Sequence, residues 1–76
     1  MWEAELHRLK GELLLRQAIP DTHQAETCFH HALDIARRQQ AKSLELRAAL
    51  SLSRLWQRQG KRNTARQLLA AVHRRL

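Results

Sequence analysis

The sequence holds one cysteine, one proline, two glycines and no tyrosine. Each scarcity removes an option. A lone Cys28 cannot close an internal disulfide, which suits a reducing compartment and predicts a cytoplasmic chain. Two glycines, Gly11 and Gly60, cannot build a phosphate-cradling loop. Valine, isoleucine and threonine are few, and no stretch alternates apolar and polar residues as a half-buried strand does. No apolar run nears the ~20 residues that span a membrane. The opening stretch, MWEAELHRLKGELLL, carries acids at Glu3 and Glu5 and no cleavage site after an apolar core, so it does not read as a signal peptide.

What is present points one way. Leucine, alanine, arginine and glutamine dominate, all of them residues that favour helix. A chain of 76 residues with 43% hydrophobic content is one domain with a modest core. The fold expected is all-α. Fourteen Lys and Arg against seven Asp and Glu give a net charge of +7. Such a balance suits an acidic partner or nucleic acid. The cations are nevertheless spread along the chain, with Arg37-Arg38 and Lys42, Lys61-Arg62, and Arg74-Arg75 as the densest groups.

Punctuation divides the chain into four helices, at about 3–17, 22–39, 43–59 and 62–75. "AIPDT" (18–22) holds the proline, with Asp21 or Thr22 placed to cap the next helix and Glu26 placed to reach back toward its start. "QAKS" (40–43) offers Ser43 as a cap. "QGKRNT" (59–64) supplies Gly60 as a helix terminator and Asn63 or Thr64 to begin again. Connections this short make successive helices antiparallel neighbours, which gives two helix-turn-helix hairpins.

Shifting the sequence by 40 positions lays Leu6 on Leu46, Gly11 on Ser51, Leu15 on Leu55, Pro20 on Gly60, Ala25 on Ala65, Phe29 on Leu69 and Ala32 on Val72. Small residues meet small ones, large apolar residues meet large apolar ones, and turn residues meet turn residues. This marks an internal repeat, with units at about 3–40 and 43–76. In the second helix Ala25, Phe29, Ala32 and Ala36 follow spacings of four, three and four and so share one stripe. The alanines let a neighbouring helix approach closely, and Phe29 fills the space between them. Ala65, Leu69, Val72 and Leu76 repeat the pattern.

These residues carry a resemblance. Ala25-x3-Phe29-x2-Ala32, preceded by "LKG" with Gly11 in the first helix, resembles the tetratricopeptide repeat, over nearly the whole chain as two units. The repeat of 40 is longer than the ~34 typical of that family. The phrases "AELHRLKGELLL" and "SLELRAALSLSRLWQRQG" are similar to the degenerate tetratricopeptide tails of bacterial ATPase and adenylate-cyclase-like signalling regulators. The resemblance implies a non-catalytic, protein-binding scaffold whose first and third helices line a partner groove. Carried onto this sequence, it places Glu5, Arg8, Glu12 and Leu15 in that groove from the first unit. It adds Glu45, Ala48, Leu52 and Leu55 from the second.

Two units are fewer than the three or so that usually stabilise a repeat array. Each end is expected to leave apolar surface uncovered: Trp2, Leu6, Leu9 and Leu13 at one end, Leu68, Leu69, Val72 and Leu76 at the other. Burying these would make a homo-oligomer, most simply a dimer. The alternative is a monomeric bundle that folds its own ends together.

Site chemistry is sparse. His30 and His31 are adjacent, so on a helix they point about 100° apart. His23 and His30 share a face without an acid or thiol to complete a set, and Cys28, His31 and His73 match no zinc spacing. Cys28 lacks a recognisable oxyanion loop or acid partner. No catalytic, cofactor or metal residue is expected, and the chain does not read as an enzyme. The second functional reading is a basic bundle binding nucleic acid non-specifically, through Arg54, Arg58, Lys61, Arg62 and Arg66 with Arg74 and Arg75.

Overall fold

The computed structural model describes residues 2–75, with the side chains of residues 3–74. Four helices follow one another: α1 (Trp2–Leu15), α2 (Thr22–Arg38), α3 (Lys42–Arg58) and α4 (Arg62–Arg75), with no strand among the described residues. The all-α expectation holds. The helix starts repeat at a spacing of 40: Trp2 and Lys42, Thr22 and Arg62. The first helix stops two residues short of expectation. Its end is fixed by the Arg16 amide donating to the Leu13 carbonyl and the Asp21 amide donating to that of Leu14.

Cross-helix contacts define the directions. His7 meets His31 and Gly11 meets Phe29, so α1 and α2 run antiparallel. Glu26 meets Trp56 and Arg37 meets Glu45, so α2 and α3 run antiparallel. Arg47 reaches Glu5, which brings α3 alongside α1. The backbone of α4 approaches only that of α3 among the described residues. The chain therefore spreads into a slab of 35 × 29 × 13 Å rather than closing α4 back onto α1.

The core is built from the small-large-small stripe. Ala25, Phe29, Ala32 and Ala36 of α2 are all 0% exposed. One cluster joins Ala25 and Phe29 to Leu52 and Leu55, with Leu14, Leu15, Trp56 and Leu68 against it. A second joins Ala32 and Leu33 to Ala48, Ala49 and Val72. The alanines matter because a large side chain at those positions would hold the helix axes apart and empty the space Phe29 fills.

The caps differ in part from expectation. Asp21 caps α2, accepting from the Gln24 amide at 3.0 Å. Glu26 does not reach back toward that cap; its carboxylate accepts instead from the Trp56 indole at 2.6 Å. Ser43 does not cap α3. The helix starts one residue earlier, at Lys42, behind Ala41, whose side chain makes no cap bond. The helix ends are alike. At the end of α2 the Ala41 amide returns to the Ala36 carbonyl at 2.9 Å and the Gln40 amide to that of Arg37, with Gln40 at φ 55°. At the end of α3 the Lys61 amide returns to Trp56 at 2.8 Å and the Gly60 amide to Gln57, with Gly60 at φ 81°. Both are the paired six-to-one and five-to-two closures of a Schellman turn.

Candidate interaction surface

The surface with the most convergent chemistry lies where α1 and α3 run side by side. Arg8 lies one turn after Glu5 on α1, so the two side chains share a face. Arg8 donates to Glu5 twice, from Nε at 2.8 Å and from Nη2 at 3.2 Å. Arg47 of α3 adds Nη1 at 3.5 Å from the same carboxylate. The Arg8 hydrogen bond and the charges of both guanidiniums hold the Glu5 carboxyl below its ordinary range, against a smaller opposing effect of burial. Glu5 in turn raises Arg8 above the usual guanidinium range.

Two shallow grooves share this pair of helices. Arg8, Arg47, Leu50, Ser51 and Arg54 line the first. Arg8, Leu9, Glu12, Leu13, Arg16 and Arg54 line the second. Arg8 and Arg54 belong to both, so the grooves form one continuous strip with guanidiniums along it and leucines at one edge.

Of the residues assigned to a partner groove from sequence, Arg8 and Glu12 line this strip, and Glu5 is held beside it by Arg8 and Arg47. Leu15 is half-buried and packs against the core. Ala48, Leu52 and Leu55 are at most 2% exposed and sit inside the core, where they offer no surface to a partner. Glu45 is also buried, at 3% exposure, and accepts from Arg37 Nε at 3.1 Å. A carboxylate taken out of water needs such compensation, and this one ties the end of α2 to the start of α3. Sequence reasoning missed Arg47 and Leu50. The signal available was the seven-residue spacing of Arg47 and Arg54, which places both on one face of a helix.

The apolar ends also divide. Leu6, Leu9 and Leu13 are 47%, 42% and 63% exposed. At the other end Val72 is 0% exposed and belongs to the core, while Leu68 and Leu69 are half-covered against it. The expected roles of Trp2 and Leu76 lie outside the described side chains. Three of the basic residues expected to form one face line two separate grooves: Arg54 faces α1, whereas Arg62 and Arg66 flank Gln57 and Leu69 beside α4.

The histidines separate as their sequence spacing requires. His31 points to α1, its ring 5.5 Å from that of His7 and edge-on to it. His30 points to α3, 5.9 Å from Trp56. His7, His23, Cys28 and His31 line a further groove with Lys10. Among the described residues no group of three or more His, Cys, Asp or Glu is arranged to hold a metal ion. Nor is any described helix long and apolar enough to cross a membrane. No protein-family model, curated protein or solved structure matches the chain.

Proposed function

We propose that the chain is a non-catalytic helical interaction module of tetratricopeptide type, a cytoplasmic signalling scaffold that binds protein and associates with itself. The observation that carries this reading is the row of Leu6, Leu9 and Leu13. All three are more than 40% exposed, on a helix whose opposite side is closed against α2. Single exposed leucines are ordinary on a soluble protein, whereas a contiguous apolar row points to contact with another macromolecule. The guanidinium-lined strip beside it favours a protein or peptide partner that brings carboxylates, which arginine pairs with in two-pronged fashion. Light scattering across a wide concentration range tests the self-association. A concentration-dependent rise in mass supports it, and a single monomer mass throughout overturns it.

A second reading rests on a different observation. Arg8, Arg47 and Arg54 share one groove and Arg62 and Arg66 another, on a chain of net charge +7. Such a surface binds nucleic acid through phosphates. Affinity for random duplex should then fall steeply between low and moderate salt. A flat salt dependence removes this reading.

A further inference from the structure

Building on the self-association proposed above, we infer that Leu6, Leu9 and Leu13 form the face on which a second copy of this chain docks. In this arrangement α1 lies against its counterpart about a two-fold axis, the two helices running parallel.

The internal repeat says what this face is for. Forty positions on, Leu6, Leu9 and Leu13 correspond to Leu46, Ala49 and Ser53. In the second hairpin Ala49 and Ser53 are 0% and 2% exposed, and Leu46 packs against the core. The same register that α3 buries inside the molecule is left bare on α1. At these positions α1 carries leucines where α3 carries alanine and serine. Larger side chains hold two helices further apart, which suits side-by-side helix pairing better than the close approach made by α3.

Spacing and charge select the mode. Positions 6, 9 and 13 alternate three and four, the spacing of a coiled-coil seam. Ala4 and Gly11, on the far side of α1, are buried within the fold. Glu5 flanks the seam on one side and Lys10 on the other. In a parallel pair each Glu5 stands beside Lys10 of the second copy, an attraction made twice by symmetry. In an antiparallel pair Glu5 stands beside Glu12 of the second copy, a repulsion made twice.

Head-to-tail growth, with α4 of one copy taking the place of α2, is disfavoured by the same repeat. The internal junction is fastened by the Trp56 indole on Glu26. The corresponding residues at a head-to-tail junction are Arg16 and Arg66, two like charges. The association therefore closes as a dimer rather than extending as a filament.

Sedimentation equilibrium on the full chain, on Leu9→Glu and on Ala70→Glu, an exposed site on α4, tests the face. Circular dichroism confirms that each variant folds. The expectation is a wild-type dimer, at least ~10-fold weaker association for Leu9→Glu, and no change for Ala70→Glu. A dimer that survives Leu9→Glu overturns the assigned face and leaves self-association standing. A wild-type chain that is monomeric throughout overturns both.

Orientation is read in a Cys28→Ser background by air oxidation of Leu13→Cys. Two thiols lose two protons and two electrons to oxygen as the S–S bond forms. A covalent dimer of Leu13→Cys alone supports the parallel pair. A cross-link that appears only when Leu13→Cys is mixed with Leu6→Cys overturns it.

Discussion

Gly11 faces Phe29 so closely that a β-carbon on it would stand 2.6 Å from the Phe29 Cε1 atom. No real side chain occupies such a position without moving the ring, and Phe29 is fully buried among α2 and its neighbours. The glycine is there for the approach of two helices and not for backbone freedom. Gly11→Ala should therefore destabilise the fold, although alanine is the better helix former. The overpacking costs ~1–3 kcal/mol, against a propensity gain of ~1 kcal/mol. A denaturant midpoint lower than wild type is the expected result, and a higher one shows that the ring shifts freely.

Gln40 and Gly60 hold the same left-handed turn position at the ends of α2 and α3. Only glycine takes that conformation without a penalty. Gln40→Gly should stabilise the chain, and Gly60→Ala should weaken it, each by roughly 1 kcal/mol. Nothing within 4 Å would meet a β-carbon at Gly60, so the second change isolates backbone strain from packing. Paired thermal melts give both signs.

The Trp56 indole donates to Glu26 across the junction of the two hairpins. Trp56→Phe removes the donor and Glu26→Gln removes the charge from the acceptor. Each should cost ~1–3 kcal/mol, the range for hydrogen bonds to charged groups. In a double-mutant cycle the two losses should not add, because they report one bond. Additive losses would show that the contact contributes nothing to stability.

Glu5 gives the pH dependence a sign. Its carboxyl is held below the ordinary value of 4.5, chiefly by the Arg8 hydrogen bond. A depressed folded-state value means that its stabilisation is fully present above the unfolded-state value and is lost as pH falls through the folded one. Glu5→Gln should therefore be less stable than wild type at neutral pH. The two should converge as pH falls through the folded value, where the wild-type carboxyl takes up its proton. Denaturant midpoints at neutral pH and at pH 3 check this.

The helices and the α2 stripe were legible because period and punctuation agree. Ala25, Phe29, Ala32 and Ala36 are spaced for one face, and Asp21 and Gly60 mark boundaries that the structure keeps. Glu26 was misread because it stands near the start of α2, where a carboxylate looks placed to turn back toward the cap. The indole that claims it lies thirty residues away, and no local pattern announces it. Ser43 lost the cap to the Schellman turn at Gln40, whose return bond from Ala41 starts α3 one residue sooner. The partner surface was half legible. Arg8 and Glu12 line the strip and Glu5 is paired beside it, whereas Ala48, Leu52 and Leu55 are core. On α1 the outer face and the α3-facing face are both free of α2. On α3 contacts with α1, α2 and α4 use up the apolar positions. Which flank of a helix stays wet depends on how many neighbours it has, and that number is a property of the array.

Among the described residues the backbone of α4 approaches that of α3 alone, which gives the molecule a direction. A helix with a single backbone neighbour has the least to lose on opening, so amide protons in α4 should exchange first and those of α2 and α3 last. Disorder entering at the Arg62 end would uncover Ala65 first, and Val72 with the Ala48–Ala49 surface beneath it later. The contact of Phe29 with Gly11 would still fasten α2 to α1 while that end opened.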